Sequence, residues 1–172
     1  MSPEDVFRRV VEAADAIKAK LVVLTGGEPT AFKYWEPLIQ GLMGLGKFER
    51  CVVETNGSTK EILIPRYLHD VTFSIAPKIA TWRPDIYKDV DSYLKLTVGP
   101  DSLEINDNAI SQFLALRKDV QVYIQPCDMS SVTGSAKFTY AESYAYFLEL
   151  CERYPKADLR MGIQAHKVWG VR

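Results

Sequence analysis

Thr25-Gly26-Gly27-Glu28-Pro29 follows directly on the apolar run Leu21-Val22-Val23-Leu24. A buried strand that ends in a glycine pair brings bare backbone to its carboxyl end, where a ligand can approach closely, and Pro29 fixes the Glu28 carboxylate beside that pair. Glu28 and nearby carbonyls suit a bound ammonium group such as the one on a methionyl moiety. The plainer alternative is a tight strand-to-helix turn with a surface glutamate. A second strand of this kind, Cys51-Val52-Val53-Glu54, runs into Thr55-Asn56-Gly57. Asn56-Gly57 is a turn signal in its own right, since both residues tolerate positive φ. Glu54 is different: a carboxylate that interrupts an apolar strand requires a partner, and a ribose diol or a neighbouring donor would serve.

Further polar residues sit at the ends of later apolar runs. Ser74 to Lys78 closes one, Lys95 lies within Tyr93-Leu94-Lys95-Leu96, and Gln125-Pro126 closes another. Lys78 after Ala76-Pro77 is either a solvated loop lysine or a cation placed to neutralise a carboxylate. The alternation around Lys95 points it away from its apolar neighbours, into the interior if the sheet curls into a barrel. His69 and His166 are the only histidines. His69 reads as an ordinary loop residue, whereas His166, beside Lys167 near a strand end, could hydrogen-bond or protonate a ligand near neutral pH. Trp35, Trp82 and Trp169 could stack on a planar heterocycle, although large aromatics equally fill cores.

The elements that must position these residues alternate. An amphipathic pattern of about four turns follows a Ser2 cap and Pro3, with helical patterns again over Tyr34 to Leu45, Asn106 to Leu116 and Tyr140 to Arg153. Strand patterns cover Leu21 to Thr25, Cys51 to Glu54, Val71 to Ile75, Tyr93 to Val98, Val120 to Gln125 and Leu159 to Ile163. Strands separated by helices imply crossover connections and a mostly parallel α/β sheet or partial barrel. The unusual residues then share one edge, the carboxyl-end rim where such folds bind ligands.

Composition sets limits. The 172 residues, 47% hydrophobic and 25% charged with a net charge of -1, suit one domain spanning 1–172 and carry no basic stripe for nucleic acid. No run is long and apolar enough to span a membrane, and the N-terminus has no signal-peptide character, so a cytoplasmic location is expected. Cys51, Cys127 and Cys151 lie far apart with no CxxC spacing, which reads as reduced core thiols and no metal site.

Taken in order, TGGEP, VVETNG, the S-x-A-P-K segment, YLKLTV, VYIQP and the closing Gln164-Ala165-His166-Lys167 resemble the radical S-adenosylmethionine (SAM) family of 7-carboxy-7-deazaguanine synthases, of the queuosine pathway. TGGEP points to the radical SAM superfamily, and the whole series with its QxHK ending points to this member. The resemblance implies an open radical SAM-type barrel and a lyase that contracts 6-carboxytetrahydropterin to a deazaguanine with SAM, a [4Fe-4S] cluster and Mg²⁺. It assigns Gly26, Gly27 and Glu28 to the SAM amino group, and Glu54, Thr55 and Asn56 to SAM or the substrate. Lys78 falls in the family's Ser-Pro-Lys segment, here Ala76-Pro77-Lys78, so that Ser74 is the residue left to replace the lost hydroxyl. Gln125, His166 and Lys167 are assigned to the pterin substrate.

The family's first strand and its CxxxCxxC loop have no counterpart in these residues. Three thiolates at that spacing leave one iron of the cluster open for SAM, so these residues alone are not expected to carry out radical chemistry. The resemblance is then compatible with a shortened enzyme, one part of a split enzyme, or a SAM- or pterin-binding remnant. Another small radical SAM enzyme, such as a glycyl-radical activase, is the alternative within the superfamily. An uncovered strand edge at Leu21 to Thr25 calls for a homodimer contact, a swapped segment or another chain.

Overall fold

The structure, a computed structural model, describes residues 2–59, 61–62, 70–78, 82–99, 102–126 and 140–162. Its first helix, α1 (Pro3–Ile17), starts where Ser2 Oγ accepts the Asp5 N–H at 3.1 Å and Pro3 needs no partner for a missing donor. Strand β1 (Leu21–Leu24) follows, then a single 3-10 turn at Pro29–Ala31, α2 (Trp35–Gly44) and β2 (Arg50–Thr55). Gly46 adopts φ +63 just after α2, a left-handed conformation that ends the helix and suits glycine. The chain continues through β3 (Val71–Ile75), a 3-10 segment at Pro84–Tyr87, β4 (Ser92–Val98), α3 (Leu103–Leu116), β5 (Gln121–Pro126), α4 (Tyr140–Arg153) and β6 (Asp158–Met161).

All six strands are parallel and their order in the sheet is β1-β2-β3-β4-β5-β6, the order of the sequence. This is an open, barrel-like α/β sheet. Every strand lies beside its predecessor and the order never reverses, so crossovers of one hand put their helices on one face. The register shows which face that is. Cys51 pairs with Val71, Val53 with Phe73, Ile75 with Leu94, Leu94 with Val122 and Leu96 with Ile124, and these buried side chains join Leu38, Ile39, Ala109, Ile110, Phe113 and Leu150 of the helices in one core. The intervening residues form the other face. There Glu54 lies beside Ser74, Ser74 beside Tyr93, Lys95 beside Tyr123, and Thr97 beside Gln125.

The expected helices and strands are therefore present, with shifted ends. Helix α3 begins at Leu103, three residues before the expected Asn106, because the Asn106 carboxamide donates back to the Thr97 carbonyl at 3.1 Å and anchors a turn already formed. Trp35 and Trp82 are core residues. Trp35 meets Phe73 edge-on at 6.1 Å, and Trp82 meets Phe113 at 5.7 Å, and both are buried in the core. Cys51 is buried in β2, and burial pushes its thiol up to about 11, as suits an inert core thiol. Among the described residues β1 pairs only with β2, and Leu21 and Val23 are half exposed on the helix-free face.

Phe73 is the centre of this core: it is 1% exposed and its ring also meets Tyr87 edge-on at 5.5 Å. Phe73→Ala is expected to destabilise the fold by about 3–5 kcal/mol, the range for emptying an aromatic site in a packed core. Urea denaturation followed by circular dichroism measures it, and a loss under about 1 kcal/mol would mean that the helices do not pack on this face as described.

Candidate functional site

Two strand ends are bolted together by one carboxylate. Glu28 caps the 3-10 turn after β1, and its Oε1 accepts the Thr30 N–H at 3.1 Å, the Thr30 hydroxyl at 2.6 Å and the Thr55 hydroxyl at 2.7 Å. Its Oε2 accepts the Asn56 N–H at 2.7 Å, leaving lone-pair capacity on that oxygen alone. Thr55 is buried and also accepts the Gly57 N–H at 3.1 Å, so its side chain holds the rim from below. Asn56 turns its side-chain carbonyl onto the Ser58 N–H at 2.9 Å, an Asx turn. Gly57 has φ +80, and a Cβ there would stand 3.1 Å from Ile75 and 3.3 Å from Trp82; both backbone and space require glycine.

Gly26 and Gly27 present the opposite situation. Gly26 has φ +151, which disfavours a side chain, yet no atom lies within 4 Å of an added Cβ at either residue. The pair is exposed bare backbone on the rim, immediately before Glu28 in the chain. An ammonium group fits this cradle: carbonyls and one carboxylate oxygen are within the same turn.

On the helix-free face the charges are paired across three strands. Lys95 Nζ on β4 donates to Glu54 Oε1 on β2 at 2.6 Å, and Thr25 Oγ1 donates to Glu54 Oε2 at 3.1 Å. Ser74 of β3 lies beside Glu54 in register, with Lys95 two residues further along β4 than its partner Tyr93; it is fully buried, and its hydroxyl has no hydrogen-bond partner among the described residues. The Lys95 hydrogen bond holds the Glu54 carboxyl below its usual range, against the effect of partial burial. Lys78 is exposed on the rim and adds a weaker attraction for the same carboxylate.

Beneath Glu54 and Lys95 the face is concave, a cavity of about 590 Å³ lined by Arg50, Thr72, Tyr93, Tyr123 and Gln125 as well as Lys95. Tyr93 and Tyr123 meet edge-on at 5.2 Å. The Tyr123 hydroxyl accepts from Arg160 and donates to Gln121, both at 3.2 Å. The hollow runs along the helix-free face from the amino ends of β2, β4 and β5, at Arg50, Asp91 and Asp119, up to Lys95 and Gln125, and its polar, aromatic walls suit a planar ligand rich in nitrogen and oxygen.

This architecture is similar to that of a solved protein. It resembles QueE from Escherichia coli. The TM-score is 0.62 at 21% sequence identity, over 95% of this chain and 64% of that one. At this identity the likeness is one of fold, and the chain spans less than two thirds of QueE's length. No family model and no curated protein matches the chain. The structural match to QueE agrees with the resemblance in the motifs.

The structure thus brings Gly26, Gly27, Glu28, Glu54, Thr55 and Asn56 to one rim, with Ser74 and Gln125 on the face below it and Lys78 beside it. His69, Cys127, Gln164, His166, Lys167 and Trp169 lie outside the described residues. Thr25, Tyr93 and Tyr123 lie within the TGGEP, YLKLTV and VYIQP segments without a role assigned to them, and Thr30 and Arg160 lie outside those segments; for the tyrosines and Arg160 the signal is every second residue of β4, β5 and β6 being polar or amphipathic. Among the described residues no group of three His, Cys, Asp or Glu side chains could hold a metal, and no helix is long and apolar enough to cross a membrane.

Two outcomes follow from the paired carboxylates. Thr55→Val removes one of the four hydrogen bonds to Glu28, leaves the Gly57 N–H without its partner, and is expected to cost about 1–3 kcal/mol in denaturant melts; an unchanged melt would show that the Thr55 hydroxyl does not hold the two strand ends together. Glu54 has a folded-state pKa depressed below its unfolded value, so its contribution to stability is present above the ordinary glutamate range and is lost as pH falls through the depressed value. Stability of Glu54→Gln measured from pH 7 to below about pH 4 should therefore fall less steeply than wild type in acid; parallel curves would contradict the pairing.

Proposed function

We propose that this chain binds SAM on the Gly26-Gly27-Glu28 rim and a 6-carboxytetrahydropterin-type heterocycle in the cavity below, as the SAM- and substrate-binding part of a radical SAM enzyme of the 7-carboxy-7-deazaguanine synthase type. The observation that carries the reading is the bare glycine cradle tied through Glu28 to the Thr55-Asn56-Gly57 turn, at the carboxyl ends of strands that carry a polar hollow on one face, on a fold similar to that of QueE. In this reading Glu28 Oε2 and the adjacent carbonyls take the SAM ammonium. Glu54, held ionised by Lys95, accepts from a ribose diol or from donors on the heterocycle. Gln125 lies in the hollow, with His166 and Lys167 assigned to the substrate carboxylate and its protons.

Bound SAM supplies hydrogen abstraction in radical enzymes. The cluster that reduces it takes three thiolates at CxxxCxxC spacing, a set these residues do not hold: Cys51 is buried in β2, Cys151 is on α4, and no such spacing occurs in the sequence. The proposal therefore gives this chain binding, orientation and exclusion of water, and leaves cluster and Mg²⁺ ligands to residues beyond these. A pterin ring contraction with loss of ammonia is the reaction proposed for the complete site.

Gly27→Ala provides the test. Its φ is not in the left-handed region and nothing lies within 4 Å of the added Cβ, so stability should change by no more than about 0.5 kcal/mol. The same methyl would occupy the ligand's side of the cradle, and calorimetry should show SAM affinity reduced by about tenfold, roughly 1.4 kcal/mol. Equal SAM affinity in the two forms, or none in the wild-type chain, would overturn the assignment of this rim to SAM.

A further inference from the structure

We infer that Gly162 is a positioning residue: the side chain it lacks fixes the Gln125 carboxamide in the hollow, where that carboxamide reads one edge of the bound heterocycle. The inference rests on the proposed heterocycle site and adds to it what sets its selectivity.

Gln125 lies on the helix-free face of β5, with Thr97 of β4 opposite it on one side and Gly162, the residue after β6, on the other. A Cβ at Gly162 would stand 2.7 Å from Gln125 Cγ, 3.3 Å from Nε2 and 3.4 Å from Cδ. The closest contact is with the stem of the glutamine, so a tip rotation cannot relieve it; Gln125 would have to leave its χ1 well. The backbone cannot easily yield either, because the Gly162 N–H donates to the Ile124 carbonyl at 2.8 Å and continues the β5–β6 ladder. Nor does Gly162 need to be glycine for its own conformation, since among the described glycines positive φ occurs at Gly26, Gly46 and Gly57. The glycine therefore serves its neighbour.

A carboxamide laid across a bare backbone presents one acceptor and two donors in a set direction. That pattern complements the amino-oxo edge of a pyrimidinone ring, which offers donors and an acceptor side by side. Holding the carboxamide in place before the ligand arrives removes an ordering cost from binding, and a fixed donor-acceptor pattern rejects a ligand whose edge carries the wrong one.

The experiment uses the full 172-residue chain and two fluorescent probes, pterin-6-carboxylate and lumazine-6-carboxylate, which differ by an oxo group in place of the 2-amino group. Wild type should prefer the pterin, and Gly162→Ala and Gln125→Ala should each reduce that preference by about tenfold, with the double variant no worse than either single one. Gly162→Ala should also lower Tm, and Gln125→Ala in the same chain should restore it by removing the clashing stem. Should Gly162→Ala keep the wild-type Tm and preference, or should the double variant fail to recover Tm, Gly162 does not position Gln125 and the heterocycle site stands without it. Absence of binding of both probes to the wild-type chain overturns the heterocycle site and this inference together.

Discussion

A parallel sheet whose strands follow one another in sequence order can keep its helices on one side only, and the site here is built on the side that remains. The helices bury Val53, Phe73, Leu94 and Ile124 on one face of β2 to β5. Their alternating neighbours Glu54, Ser74, Lys95 and Gln125 are left on the opposite face, over which no helix lies among the described residues, and Lys95 and Gln125 line its hollow. In an interior of this kind a charge must find a partner or stay wet. Lys95 and Glu54 do both to a degree, with 23% and 38% of their side chains exposed. Their pairing spans β2 to β4 and thereby ties together the strands that carry the hollow, and it keeps Glu54 ionised and aimed at the rim.

The rim has its own central group in Glu28. A glutamate that accepts from two backbone N–H groups and two hydroxyls is above all a structural bolt between the turns that follow β1 and β2. That role does not compete with ligand binding. Three of the four donors crowd onto Oε1, and the result is a fixed carboxylate whose other oxygen keeps lone-pair capacity in the turn that follows Gly26 and Gly27. Pre-organisation of this sort is what a cationic ligand group needs, since the protein then has little to rearrange on binding. The buried Tyr87 phenol, pushed up to about 12 by burial, stays protonated near this bolt and adds no charge to it.

Glycine is used in three different ways in this chain. At Gly57 it answers positive φ and crowding by Ile75 and Trp82, a purely structural demand. At Gly26 and Gly27 there is nothing to crowd, and the bare backbone faces outward. At Gly162 the backbone is ordinary and the crowding comes from a polar side chain of the hollow. A sequence shows the same letter in each case; only the surroundings separate a turn, a cradle and a spacer.

Much was legible before any coordinates. The 3.6 and 2.0 periodicities gave four helices and six strands in their order, because amphipathic burial is a local pattern along the chain. TGGEP and ETNG after apolar runs placed Glu28, Glu54 and Asn56 at strand ends, and the alternation about Lys95 placed it on the interior face. What the sequence could not determine was partnership. That Glu54 meets Lys95, 41 residues away, follows from β2 and β4 flanking the same strand, β3. That Thr55 holds Glu28 follows from two loops meeting at one rim, and that Gly162 serves Gln125 follows from β6 lying beside β5. Burial is written residue by residue, so the sequence alone set the elements and the faces; register and strand order are properties of the whole sheet, so only the tertiary structure decided which side chains meet.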